Sequence, residues 1–248
     1  MKFSISAASR VGCVRHNNED MVLVNDKFVR NSKHWTMFDT STTDRYLIAL
    51  ADGMGGHNSG EVASSDVLHN LQFFYGDLPA GLKPGDFNEA IFEWLESINN
   101  YIEAKGHSEA RYLDMGTTLV AFAYYSDHYY WMNCGDSRLY RLRDGVLLQL
   151  TTDHSLNTLM GSHEHTNIIT NCIGGGCKMS YIDIMQFADG DLQAGDVFML
   201  CSDGISDMLE DEQITELLMN GADASKLCSA AEAAGGLDNV SASVIKIV

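Results

Sequence analysis

Three apolar runs in this chain are each followed, directly or after one residue, by an aspartate next to a glycine. These pairs are Asp52-Gly53, Gly135-Asp136 and Asp203-Gly204, and two more aspartates, Asp20 and Asp238, stand just before apolar runs. If the runs are antiparallel strands, an acid that ends one strand and an acid that starts its neighbour lie at the same edge of the sheet. Like charges a few ångströms apart oppose ionisation unless a cation neutralises them. The pattern therefore predicts a metal site at a sheet edge.

The rest of the chain alternates between strand-like and helix-like segments without an internal repeat. Turn signals at Ser126-Asp127-His128 and Asp144-Gly145 favour hairpins, and hence antiparallel pairing. Long amphipathic helices between the strands would cover the outer faces of the sheets. Strands are predicted at 4–8, 21–25, 46–51, 118–125, 129–133, 138–143, 182–187, 197–201 and 240–248, and helices at 59–74, 86–104, 211–219 and 222–234.

Length and charge limit the possible classes of protein. The 248 residues fit one large domain, and we predict a single domain over 1–248. Sixteen Lys and Arg against 34 Asp and Glu give a net charge of −18, which argues against nucleic acid or an anionic membrane as a partner. No stretch approaches the roughly 20 apolar residues of a membrane span, so we expect a cytoplasmic protein. The six dispersed cysteines are expected to be reduced.

Six short strings carry a resemblance to a known family. They are Arg15-His16-Asn17-Asn18-Glu19-Asp20, Asp52-Gly53-Met54-Gly55-Gly56-His57 with Gly60-Glu61, Met115-Gly116-Thr117-Thr118, Gly135-Asp136-Ser137-Arg138, Ser202-Asp203-Gly204, and Asp238-Asn239. In this order and spacing, the strings resemble the metal-dependent serine/threonine protein phosphatases of type 2C, the PPM family, in its compact bacterial form. The resemblance covers nearly the whole chain. It implies an α+β fold, a four-layer α-β-β-α sandwich with two central antiparallel sheets.

The residue types agree with phosphate-ester hydrolysis. Ligands that are all oxygen favour hard cations such as Mg²⁺ or Mn²⁺. A bridging carboxylate could hold two such ions about 3.5–4 Å apart, the spacing of two-metal hydrolytic sites, and a water between them would lose its proton easily. A planar guanidinium such as that of Arg15 can bind two equatorial oxygens of the phosphate under attack.

The resemblance implies a metal-binding role for six residues, one of which, Asp20, would act through metal-bound water. Asp52 would bridge both ions and the carbonyl of Gly53 would bind one of them. Asp203 and Asp238 would complete the other ion. Asp136, sharing Asp203, would bind the third and weaker metal ion of many bacterial members.

The resemblance also implies which residues handle water and phosphate. Glu19 and Asp20 would orient or coordinate metal-bound waters, and Arg15 would hold the phosphate. Asn239 would steady the water shell beside Asp238. The hydroxyls of Thr117 and Thr118 are expected to satisfy backbone groups instead of acting as nucleophiles.

The implied enzyme acts on phosphoserine and phosphothreonine in proteins, opposes a serine/threonine kinase and works as a monomer. Two departures from the family affect this expectation. Met54 stands where animal members carry a histidine proposed as general acid, so the leaving group must be protonated by metal-bound water or another group. The stretch 157–170 is shorter than the flap of many bacterial members, which leaves substrate choice open.

Plainer interpretations of the same residues exist. Asp52-Gly53 and Asp203-Gly204, taken singly, are ordinary strand-end turns, and Asp136 could form a local ion pair with Arg138. Cys172 and Cys177 lack a second ligand pair with zinc spacing, so the glycines between them are assigned to backbone geometry.

Two histidine-containing strings are assigned to loops. His57 is expected to make a structural hydrogen bond in the glycine-rich loop. His163-Glu164-His165 lacks the spacing of a helical zinc-protease motif and is expected to be a polar loop.

Three other functions are considered. A catalytically weak phosphoprotein-binding or scaffold member of the same fold would be favoured by lost metal ligands, but none is lost. An acidic Ca²⁺-binding structural protein would not need Arg15 beside the cluster. A nuclease would need positive charge to hold a polyanion.

Overall fold

Two six-stranded antiparallel sheets form the centre of the computed structural model, which describes residues 1–55, 59–161, 168–177 and 179–248. The strands are β1 Lys2–Arg10, β2 Met21–Val24, β3 Lys27–Val29, β4 Ser32–Asp39, β5 Arg45–Ala51, β6 Gly53–Met54, β7 Gly116–Thr117, β8 Leu119–Tyr125, β9 His128–Cys134, β10 Arg138–Arg143, β11 Val146–Gln149, β12 Ile173–Gly174, β13 Asp183–Gln186, β14 Val197–Cys201 and β15 Val240–Ile247. The first sheet has the order β11-β10-β14-β15-β1-β4 and the second β13-β9-β8-β5-β2-β3, while β12-β7-β6 form a small third sheet.

Helices cover the outer faces of both large sheets. They are α1 Gly60–Asp77, α2 Pro84–Ser108, α3 Leu156–Met160, α4 Asp203–Ser206, α5 Asp211–Met219 and α6 Ala224–Ala233, with a 3₁₀ turn at Ala110–Tyr112. In α2, proline in the first turn starts the helix, and buried apolar residues recur every three or four positions from Phe87 to Ile102.

Three apolar cores separate the four layers. Side chains such as Phe122 and Phe198 fill the space between the two sheets. A second core joins α1 and α2 to one sheet, and a third joins α5 and α6 to the other. The predicted α-β-β-α sandwich with two central antiparallel sheets is confirmed. The single domain over 1–248 stays a prediction.

The predicted strands and helices are present with shifted ends, but six strands of the described residues were missed, namely the two-residue strands β6, β7 and β12 of the small third sheet and three strands of the large sheets. The latter three are β3, β4 and β11. In β4 the large apolar side chains Trp35 and Met37 face solvent, and in β11 Val146 and Leu148 are exposed. Both strands lie at an edge of the first sheet, where the apolar side chains do not mark a core-facing side.

Strand register places Asp20 opposite Asp52. Met21, the first residue of β2, pairs with Ala51, the last residue of β5, so the next residue outward on each strand is an aspartate. The expectation that an acid before one strand and an acid after its antiparallel neighbour share an edge is therefore correct here.

The first sheet repeats this arrangement at the same end of the molecule. Cys201 at the end of β14 pairs with Ala242 near the start of β15, which brings Asp203 beside Asp238. Asp136 lies in the connection between β9 and β10, one strand from each sheet. Among the residues that the structure describes, no helix is long and apolar enough to cross a membrane.

Candidate metal centre

A cavity of about 320 Å³ opens where the acidic ends of the two sheets meet. It is lined by Arg15, Glu19, Asp52, Gly53, Met54, Gly55, Ile169, Asp203 and Asp238. Six of these residues come from the set predicted for the site. The cavity therefore joins most of the predicted metal ligands to the predicted phosphate-binding arginine.

Two of the glycines next to these aspartates are required by close backbone packing. A Cβ on Gly53 would collide with the carbonyl oxygen of Gly60 and lie 2.7 Å from that of Glu19, and a Cβ on Gly204 would collide with the carbonyl oxygen of Asn239. Only glycine allows these approaches. The Asp-Gly pairs are therefore more than strand-end turns, because the glycine allows the segments that carry the site to pack together.

Carboxylates repel each other in this cluster. Burial, followed by the charges of Asp20 and Asp203, raises the pKa of Asp52 well above its ordinary value. Burial and the charges of Asp136 and Asp238 raise the pKa of Asp203 to about 8. A bound cation would reverse this effect, because it stabilises the ionised form of each acid.

The pKa values of Asp20 and Asp136 are raised less than that of Asp203. Burial raises the pKa of Asp20 to about 6, although the hydroxyl of Ser202 donates to it over 2.8 Å and favours the ionised form. Burial and the charge of Asp153 raise the pKa of Asp136 to about 6.

Two buried carboxylate oxygens fit the need for a cation. Oδ1 of Asp20 and Oδ1 of Asp203 have no hydrogen-bond partner among the residues that the structure describes, although buried polar atoms normally have one. An all-oxygen donor set of this kind suits Mg²⁺ or Mn²⁺, which keep several waters of their own. No three His, Cys, Asp or Glu side chains within the described ranges form a complete set of ligands around one point. Asp238 is instead turned toward Arg15, with 2.6 Å between NH2 and Oδ2.

Arg15 forms an ion pair with Asp238 of the cluster. Its side chain is 56% exposed, and burial alone would lower its pKa, but the hydrogen bond and charge of Asp238 outweigh that effect and raise it. An exposed guanidinium at the rim of the cavity is accessible to an incoming phosphate. Arg15 therefore lies beside Asp238, one of the predicted metal ligands, and its role in holding phosphate stays a prediction.

Asn239 holds two segments of the site together. Its side-chain Oδ1 accepts from the backbone N–H of Glu19 over 2.8 Å, and its Nδ2 donates to the carbonyls of Val11 and Asn17 over 2.9 and 2.8 Å. Its side chain therefore binds backbone groups, and the structure does not test the predicted role in a water shell. The hydrogen bonds show that Asn239 fixes the loop that carries Arg15 and Glu19.

The two threonines behave as expected. The hydroxyl of Thr117 donates to the carbonyl of Asp52 over 2.8 Å, and the hydroxyl of Thr118 accepts from the N–H of Asp52 over 3.0 Å. Thr118 also bonds Ser137 over 2.7 Å, which links the Asp52 segment to the Asp136 turn. The alternative interpretation of Asp136, a local ion pair with Arg138, is not observed among the described residues, because the guanidinium binds Asp153 over 2.7 Å.

Arg30 was missed by the sequence analysis. Its guanidinium donates to the carbonyl of Asp20 over 2.8 Å and to the hydroxyl of Ser64 over 2.7 Å, and burial lowers its pKa. It joins the Asp20 segment to α1. No local pattern marks this arginine, since its partners lie at distant positions in the chain.

The remaining predictions concern cysteines and histidines. All six cysteines are free, as expected. His57 and His163-Glu164-His165 lie outside the described residues.

Comparison with known proteins identifies the class. The family model for protein phosphatase 2C matches residues 34–237. The chain is 33% identical over 257 residues to the serine/threonine protein phosphatase PstP of Mycobacterium tuberculosis, which covers 98% of this chain and 45% of PstP. It is 31% identical over 258 residues to the protein phosphatase PhpP of Streptococcus pneumoniae, which covers 98% of this chain and 97% of PhpP. The chain thus spans under half of one relative and nearly all of the other.

A solved structure of a relative has the same fold. The catalytic domain of the phosphatase PstP, in complex with two manganese ions, matches this fold with a TM-score of 0.75 at 32% identity and covers 100% of both chains. A fold and an acidic site of this kind define a metal-dependent phosphatase. The chain belongs to the protein phosphatase 2C family, and both of these relatives are named as protein phosphatases, PstP as a serine/threonine protein phosphatase. The family predicted from the six strings, and its dependence on Mn²⁺ or Mg²⁺, are confirmed.

Proposed function

We propose that this chain removes phosphate from phosphoserine and phosphothreonine in proteins, in the cavity between the two sheets. The observation that carries the proposal is the convergence of Asp52, Asp203 and Asp238 from different strands, with Arg15 at the rim. The unpartnered Oδ1 of Asp203 and its raised pKa support a site whose acids would be stabilised by a bound cation. The names of the two curated relatives support the same activity.

The residues divide the work as follows. Asp52, the carbonyl of Gly53, Asp203 and Asp238 would hold two Mn²⁺ or Mg²⁺ ions. When bound, these ions supply charge that activates a water and neutralises the phosphate. Asp20 would orient water near these residues, and its own carboxylate accepts a hydrogen bond from the hydroxyl of Ser202.

Arg15 orients the phosphate. A guanidinium can donate two parallel hydrogen bonds to phosphate oxygens. In the structure it donates to Asp238, so a cation at Asp238 and the guanidinium compete for the same carboxylate. A cation bound at Asp238 would therefore free the guanidinium of Arg15 to contact the substrate. Met54 has no proton to give to the leaving group, which leaves that task to water or another group in the cavity.

The wider setting belongs to the same proposal. Phosphorylated proteins are the expected substrates, a serine/threonine kinase is the expected opponent, and the chain is expected to act as a monomer in the cytoplasm. The net charge of −18 supports partners other than nucleic acid.

Hydrolysis of a phosphothreonine peptide tests this function. We expect release of phosphate with Mn²⁺, and little with Ca²⁺ or with a chelator, because Ca²⁺ accepts irregular coordination and activates water poorly. Asp52→Asn should abolish the release. Asp189→Asn, at an exposed turn, is the matched control and should match the wild type.

Two outcomes would contradict the proposal. Equal activity in Mn²⁺, Ca²⁺ and chelator would exclude a two-metal mechanism. Absence of activity in every condition, together with tight binding of the intact phosphopeptide, would favour the phosphoprotein-binding scaffold.

A further inference from the structure

His154 joins the turn that carries Asp136 to two other parts of the molecule. The ring is buried, with 6% of the residue exposed. Its Nδ1 accepts from the backbone N–H of Gly135 over 3.1 Å and from Nδ2 of Asn171 over 2.8 Å. Its Nε2 lies 3.0 Å from Oδ2 of Asp183. The imidazole of His154 therefore bonds its own segment to the turn that carries Asp136.

The hydrogen-bond network assigns the ring proton. A backbone N–H can only donate, so Nδ1 of His154 must be the acceptor for Gly135. The single proton of the neutral ring then lies on Nε2 and donates to Asp183. Asn171 supports this assignment, because its Oδ1 accepts from the N–H of Tyr181 over 3.1 Å and its Nδ2 is left to donate.

The backbone of His154 makes two further bonds. Its N–H donates to the carbonyl of Gly135 over 3.0 Å, so both the N–H and the carbonyl of Gly135 are bonded to His154. Its carbonyl accepts from the N–H of Thr170 over 2.8 Å, and Ser155 forms a bridge with Ile169. Ile169 lines the cavity of the candidate metal centre. One residue thus connects the Asp136 turn to a wall of the site.

Gly135 needs this support because its conformation is restricted. Its φ of +121° lies in the region that favours glycine, and a Cβ there would lie 2.7 Å from side-chain atoms of Thr118. Its carbonyl also accepts from Nδ2 of Asn133 over 3.2 Å. The direction in which the next residue, Asp136, leaves the turn depends on how the Gly135 peptide is held.

We propose that His154 is a positioning residue that fixes the Gly135–Asp136 turn for cation binding by Asp136 and connects this turn to the segment that carries Ile169. The proposal rests on the proposed function in one respect, which is that Asp136 binds the outer metal ion. The hydrogen-bond acceptor at Nδ1 is the feature that carries the role. A side chain of the same size without an acceptor would leave the buried N–H of Gly135 without a hydrogen-bond partner.

Two substitutions separate the acceptor from the ring. In His154→Asn, Oδ1 is attached to the same carbon as Nδ1 of the histidine, so the acceptor for Gly135 is kept and the contact with Asp183 is lost. In His154→Phe, ring volume is kept and no acceptor remains. If the phenylalanine variant does not fold, as judged by circular dichroism, His154→Gln replaces it, because its acceptor lies one bond further out.

The first measurement uses the metal-free protein. We expect the Gly135 amide, followed by ¹H–¹⁵N NMR, to be protected from hydrogen exchange in the wild type and in His154→Asn, and to lose protection in His154→Phe. This readout does not depend on activity. Equal protection in all three proteins would overturn the proposal.

The second measurement is a Mn²⁺ titration of the full chain by calorimetry and electron paramagnetic resonance. The weakest Mn²⁺ site should lose affinity by about tenfold in His154→Phe, the usual size of such a second-layer effect, and change less than about threefold in His154→Asn. The tighter sites should be unchanged. Equal weakening in both variants, or no weakening in His154→Phe, would overturn the proposal.

Asp136→Asn keeps the two proposals apart. If it removes the weakest Mn²⁺ site, Asp136 is the outer ligand and the titration tests His154 directly. If that site is kept, the assignment of Asp136 is wrong and the role of His154 in cation binding falls with it. If the wild type has no phosphatase activity, the proposed function is wrong, but both measurements on His154 remain valid.

Discussion

The two ends of β14 carry aspartates in opposite environments. Asp196 precedes the strand, is 1% exposed, and is bonded by Arg143 through two contacts of 2.6 Å and by the N–H of Gln193 over 2.9 Å. Asp203 follows the strand, and its Oδ1 has no partner. Burial alone would raise both pKa values. The bonds from Arg143 and Gln193 outweigh it and lower the pKa of Asp196, whereas the pKa of Asp203 is raised to about 8.

The difference shows where the chain supplies a cation and where it does not. An aspartate bonded to arginine and to a backbone N–H stabilises the fold. An aspartate grouped with other aspartates destabilises it until a cation binds. The same residue type at two ends of one strand therefore serves stability at one end and ligand binding at the other.

Activity should separate the two aspartates most strongly. We expect Asp203→Asn to lower Mn²⁺-dependent hydrolysis of a phosphothreonine peptide by about 100-fold or more, because a direct metal ligand is removed. Asp196→Asn should change kcat/KM less than about threefold, since it lies at the far end of the strand. Similar losses in both variants would show that the two ends do not differ in function.

Stability of the metal-free protein should change in the opposite sense. Asp196→Asn should lower the free energy of unfolding by about 2 kcal/mol, because Arg143 loses a charged partner. Asp203→Asn should raise it by about 1 kcal/mol at pH 8.5, because one charge is removed from the cluster. Urea unfolding with a chelator present measures both. A destabilising effect of Asp203→Asn would contradict the account of the cluster.

The pH dependence follows from the raised pKa of Asp203. Its unfolded value is about 3.9, so between about pH 4 and pH 8 the folded chain binds more protons than the unfolded chain, and stability falls as pH rises. The contribution is complete below the unfolded pKa and is lost above the folded one. The free energy of unfolding of the wild type minus that of Asp203→Asn, measured with a chelator, should fall across this range.

Mn²⁺ provides the control for that measurement. A bound cation competes with protons at the same oxygens, so Mn²⁺ should raise the melting temperature more at pH 8 than at pH 5.5. If the free energy of unfolding changes by the same amount between pH 5 and pH 8 in the wild type and in Asp203→Asn, the raised pKa of Asp203 is contradicted.

How far the sequence predicts this site depends on how local each signal is. Asp52 and Asp203 could be found because each follows an apolar run, and the pairing of adjacent strands decides which acids meet. Arg30 and His154 could not, because their partners lie on segments that only the folded chain brings together. Edge strands β4 and β11 were missed for a related reason, since their exposed apolar side chains do not point to a core.

Arg15 and Arg143 give the smallest expected effect. Both donate to an aspartate over 2.6 Å, but the side chain of Arg15 is 56% exposed and that of Arg143 is 24% exposed. We expect Arg15→Ala to change the free energy of unfolding by less than about 1 kcal/mol, because exposed ion pairs contribute little. Arg143→Ala should cost about 2 kcal/mol, because it leaves Asp196 buried without its partner. Urea unfolding of the two variants with a chelator present is the measurement. An equal cost would mean that the Arg15–Asp238 pair supports the fold, and Arg15 would then not be free to leave Asp238 for a phosphate.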